Sequence, residues 1–113
     1  MTTDGHSPIS LIYTTLPDDE TARRIAGDLV RRRLAACANL MAPVRAIYRW
    51  KGEIEEAGET VLILKTGRGG VAALRAALAE LHPYEVPAII ELPANANSAF
   101  AGWIDEETGE AGG

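Results

Sequence analysis

The sequence predicts an α+β fold: one antiparallel sheet with two helices laid across it. Three observations predict it. Short β-branched runs stand near both ends of the chain, and two stretches between them carry apolar residues at three-to-four spacing. A long extended region turns back on itself at Gly52. Pro17, Pro83 and the glycines of 67–70 fall between these segments rather than inside them. At 113 residues, 47% of them hydrophobic, the chain suits one domain with a small core.

The first strand is Ile9 to Thr15, β-branched and bounded by Pro8 and Pro17. A helix follows. Asp18, Asp19, Glu20 and Thr21 occupy its first turn and Arg31, Arg32 and Arg33 its last, charges that suit the helix dipole at each end. Ala22, Ile25, Ala26, Leu29, Val30 and Leu34 form its inward stripe. The arginine triplet reads as a solvated helix end rather than a phosphate site. Residues 37–51 are extended, interrupted at Pro43, with Val44, Ala46, Tyr48 and Trp50 on one face and Arg45, Ile47, Arg49 and Lys51 on the other. Glu59 to Thr66 return antiparallel, and 54–58 read as an irregular or bulged stretch of the hairpin. Gly67-Arg68-Gly69-Gly70 is a connector, since it lacks the ending and spacing of a P-loop. Val71, Leu74, Leu78 and Leu81 stripe a second helix that Pro83 ends, and Val86 to Leu92 make a last strand closed by Pro93. Asn95 or Asn97 caps a short final helix carrying Phe100, Trp103 and Ile104. The order βαββαβ, with a long central hairpin and a short C-terminal helix, is the ferredoxin-like arrangement. Residues 1–7 are expected to be a flexible lead, 8–105 the domain, and 106–113 an acidic, Gly-rich disordered tail.

Two helices cover only one side of such a sheet. Yet Val61 and Ile63 point one way and Leu62 and Leu64 the other, and Ile89 and Ile90 repeat the conflict. Each Leu or Ile left in water forfeits roughly 1.5–3 kcal/mol, against a total margin of roughly 5–15 kcal/mol. The C-terminal segment hides part of that second face. Other copies of the chain are expected to hide the rest.

The net charge is −5. Asp4, Asp105, Glu106, Glu107 and Glu110 supply five of the 16 acids, leaving 11 against 11 bases in the folded part. A near-neutral domain without aromatic RNA-binding motifs excludes a nucleic-acid partner. No apolar run reaches bilayer length, which excludes a spanning helix. One cysteine and no signal-like start point to a reducing cytoplasm. No nucleophile motif, dinucleotide fingerprint or P-loop occurs, and a triad would have to rest on His82 alone, so catalysis is not expected.

The chemistry gathers on His82-Pro83-Tyr84-Glu85-Val86-Pro87, a connector stiffened by its two prolines. His82 is either a metal ligand, with Glu85 as a second donor, or a helix-ending residue bonded locally. Tyr48, Trp50, Glu59, Lys65 and Tyr84 are candidates for a ligand cleft or a subunit interface. Cys37 is a small buried hydrophobe or a soft-metal or redox thiol. No cofactor is required by any of these readings.

Several segments in one register strongly resemble the CutA family, the divalent-cation tolerance proteins: residues 34–39 (Leu-Ala-Ala-Cys-Ala-Asn), 47–56, 64–66, 81–87 and 97–104. The likeness runs from about Ile9 to Ile104. It implies a ferredoxin-like protomer, similar in build to PII signalling proteins, held in a trimer through its hairpins. It also implies tolerance of copper and other divalent cations. The family's copper ligands, a cysteine and two adjacent histidines, fall on Thr14, Leu81 and His82, so His82 alone carries over. The alternative the resemblance allows is a PII-like module that senses a small metabolite between subunits.

Overall fold

The computed structural model describes residues 4–109. The flanking parts of the expected lead and tail, 1–3 and 110–113, lie outside the described residues. Eight segments follow in order: β1 (Ser7–Leu16), α1 (Asp19–Arg31), β2 (Cys37–Trp50), β3 (Glu53–Thr66), a 3₁₀ turn at Arg68–Gly70, α2 (Val71–Leu81), β4 (Ile90–Ala96) and α3 (Ser98–Glu107). The sheet order is β2-β3-β1-β4, antiparallel throughout, the ferredoxin-like topology expected.

Local sequence explains the boundaries. Asp18 caps α1 by accepting the Thr21 N–H at 2.7 Å. The helix closes at Arg31, and Arg33 turns left-handed at φ 61°. Arg33 also donates to the Glu106 carbonyl at 2.6 Å, so the triplet fastens α3 as well as ending α1. The glycine connector is held by Arg68, whose Nε donates to the Ile9 carbonyl at 3.0 Å. Leu16, Ile25, Leu29, Leu62, Leu64, Leu74 and Leu78 are fully buried between helices and sheet.

Four expectations need correction. The hairpin is regular over 53–59; its register shift lies between Met41 and Val44. Pro43 has no N–H for the ladder, and a bulge absorbs it. The last strand begins four residues later than expected and runs through Pro93, which pairs with Ser10. This is an edge strand, where a missing N–H can face water. α3 continues to Glu107, and Thr108 is buried, so 106–108 are structured rather than tail. The lead is likewise structured from Ser7, and the Asp4 carboxylate accepts the Ser98 N–H at the start of α3. Asn97 holds the cap position without a side-chain bond.

The second sheet face is partly lidded. Ala101 and Ile104 of α3 bury Ile9 and Ala36. Beyond that lid Ile90, Leu92 and Met41 stay exposed. Farther out, Glu53 to Glu59 of β3 pair with Val44 to Trp50 of β2 and with nothing else. This free two-stranded arm is about 20 Å long at roughly 3.3 Å per residue, and the protein measures 54 × 30 × 22 Å. Ile47 is 70% exposed and Ile54 62% on one arm face; Tyr48 is 41% exposed on the other.

Candidate functional site

Pro83 ends α2 and leaves His82 extended at φ −73°, ψ 132°. His82 is buried, and its ring bridges two parts of the chain. Nε2 lies 2.9 Å from the Thr15 carbonyl and 3.0 Å from Thr14 Oγ1. Nδ1 accepts the Tyr84 N–H at 3.2 Å. A carbonyl only accepts and a backbone N–H only donates, so these partners fix one tautomer: Nε2 carries the proton and Nδ1 is bare. Burial pushes the imidazole pKa below its ordinary value, against the Thr15 carbonyl and the Glu59 charge, which favour the proton.

The turn this creates throws Tyr84 outward. Its ring leans on His82, centroids 4.9 Å apart, and its hydroxyl donates to Glu59 at 2.7 Å. Together they wall a cleft of about 690 Å³ at the root of the arm. Tyr48, Trp50 and Tyr84 supply its rings, and Glu55, Glu59 and Glu85 its carboxylates. Burial and the hydrogen bond to Glu59 raise the Tyr84 phenol well above its usual range. The Tyr48 phenol is raised too, by desolvation and then by Glu55.

The structure therefore gathers Tyr48, Trp50, Glu59, Tyr84 and Glu85 in one place, with His82 beneath as their fastening. Lys65 stands apart, its ammonium 5.4 Å from the Phe100 ring at the α3 lid. Cys37, half-buried, pairs with Lys65 across the sheet and lines a shallow hollow beside α1, away from the cleft. The sequence reading missed Glu55. Its signal was the hairpin register, which sets Glu55 opposite Tyr48.

Residues 10–107 match the CutA1 divalent ion tolerance protein family. The chain belongs to that family. It is 42% identical over 100 residues to the divalent-cation tolerance protein CutA of Thermus thermophilus, covering 88% of this chain and 97% of that one. It is 44% identical over 99 residues to the Pyrococcus horikoshii protein of the same name, covering 87% and 96%. Among solved structures, CutA1 from Pyrococcus horikoshii superposes with a TM-score of 0.85 at 42% identity, over 89% of this chain and 99% of that one. CutA1 from Oryza sativa gives 0.86 at 32% identity, over 94% and 98%.

Do the residues of this chain fit a soft-metal centre at His82? They do not. Nε2 carries the proton and the Nδ1 lone pair is engaged by the Tyr84 N–H, while Thr14 supplies a hydroxyl already 3.0 Å from Nε2 rather than a thiolate. Among the described residues no three His, Cys, Asp or Glu side chains converge on one point. What the cleft does offer is carboxylate and phenol oxygen, the donor set of hard cations.

Proposed function

We propose that this protein serves divalent-cation tolerance without catalysing a reaction, as a cytoplasmic homotrimer whose cations are held by carboxylates at subunit junctions. The bare arm carries the reading. A two-stranded ribbon is marginal alone in water, and this one exposes apolar side chains on both faces. Two neighbouring copies would cover both faces, which is what a closed ring of three supplies. The cleft opens at the root of that arm, so Glu55, Glu59 and Glu85 would meet the next copy there. One protomer lacks a complete ligand set among its described residues, and a second copy would add the missing oxygens. Catalysis has little to work with: His82, the buried imidazole, is locked in one tautomer by three partners.

Calorimetric titration of the assembled protein with Mn²⁺, Zn²⁺ and Cu²⁺ tests this. Affinity is expected to fall in a Glu59→Gln/Glu85→Gln variant and to survive in His82→Gln. Loss in His82→Gln with the carboxylates indifferent would overturn the ligand assignment.

The volume of the cleft favours a second reading, a small-molecule module. About 690 Å³ is far more than a bare ion fills, and it lies within the usual range for ligand pockets.

A further inference from the structure

We propose that the cleft at the root of the arm takes a small organic cation, with an ammonium or guanidinium head and an apolar body, and rejects anionic metabolites. This rests on the small-molecule reading above and names its ligand class.

The lining divides into two kinds of surface. Rings and small apolar side chains (Tyr48, Trp50, Tyr84, Pro17, Val86) would cover a flat or aliphatic body. Every ionisable side chain other than the tyrosines is a carboxylate: Glu55, Glu59 and Glu85. Among the described residues no Lys, Arg or His lines it. Two bases of the arm are placed away from it by strand alternation. Arg45 and Arg49 project from the opposite face, where Arg45 pairs with Glu56. A phosphate or carboxylate entering the cleft would meet three like charges and no base among the lining residues, Lys51 standing outside the lining beside Trp50, a juxtaposition that costs binding.

Two further observations give the sign of the field. Both phenols in the cleft resist ionisation, first through desolvation and then through a neighbouring glutamate, Glu55 for Tyr48 and Glu59 for Tyr84. The glutamate contribution disfavours phenolate and favours an ammonium, whereas desolvation weighs against a charge of either sign. Independently, the chain's own Lys51 ammonium sits 5.6 Å from the centre of the Trp50 ring, so a ring of this cleft already attracts a cation. Tyr84 is held by its bond to Glu59 and by the His82 turn, so this wall is formed in advance.

A matched pair of probes isolates the charge: phenethylammonium and phenylacetate share a body and differ in sign. The full chain carries two tryptophans, Trp50 and Trp103, and Trp103→Phe leaves Trp50 as the reporter. Titration by fluorescence should show phenethylammonium binding at least about tenfold tighter than phenylacetate or ATP, one charge-assisted hydrogen bond being worth about that factor. Added salt should narrow the gap, and Glu59→Gln/Glu85→Gln should abolish it. Phenylacetate or ATP binding as tightly as the ammonium overturns the proposal. So does phenethylammonium binding weaker than about 10 mM. Light scattering and divalent-metal calorimetry on the same sample report the assembly and the metal role separately. An intact oligomer that binds metal but ignores the ammonium sinks this inference alone.

Discussion

Replacing His82 with glutamine should destabilise the protein most at neutral and alkaline pH and least in acid. At pH 8 the imidazole makes its bonds to the Thr15 carbonyl and the Tyr84 N–H at 2.9 and 3.2 Å, with Thr14 Oγ1 also in reach. Each is worth about 1 kcal/mol net, and a buried group left without a partner costs about 1–3 kcal/mol. Glutamine reaches one partner at best, so the expected loss is about 2–3 kcal/mol. The pH dependence follows from the lowered imidazole pKa. In the unfolded chain His82 protonates around its ordinary value of 6.5. In the folded chain a proton on Nδ1 would face the Tyr84 N–H, so the unfolded state takes up the proton first. Stability is full above 6.5 and is lost as pH falls from there through the folded value. The variant has no such group, so the gap between the two proteins should narrow as pH falls below 6.5. Urea unfolding followed by circular dichroism, at one protomer concentration and several pH values, measures it. Equal stability at pH 8, or a gap that widens in acid, would refute the fixed tautomer.

Three other outcomes are expected. Tyr84→Phe removes the 2.7 Å bond to Glu59 and should cost about 1 kcal/mol, since the carboxylate keeps access to water; equilibrium unfolding reads it. Ile104→Ala empties a fully buried site under the α3 lid and should cost about 2–5 kcal/mol; a loss below about 1 kcal/mol would mean that the lid is not packed as described. Ile47→Glu with Ile54→Glu charges one face of the arm and should dissociate the assembly while each protomer keeps its circular dichroism spectrum; size exclusion decides.

The element order was legible because period and punctuation agreed: the α1 stripe, Gly52, Pro83 and the β-branched β1 each point one way. The outer hairpin was not, because Glu53, Glu55, Glu56 and Glu59 are poor strand formers whose pairing comes from partners on β2. Pro93 misled for a related reason: whether a strand is an edge depends on sheet order, not on local sequence. The aromatic and acidic members of the cleft could be found from alternation along the arm. The lock on His82 could not, because it closes with residues 67 and 68 positions away.

Mass in solution, followed by multi-angle light scattering from tens of micromolar down to about one micromolar, tests most directly whether the exposed arm belongs between copies. A particle of three times the 12.1 kDa protomer, persisting through dilution, is the predicted result. A stable, folded 12.1 kDa species over the same range would contradict it.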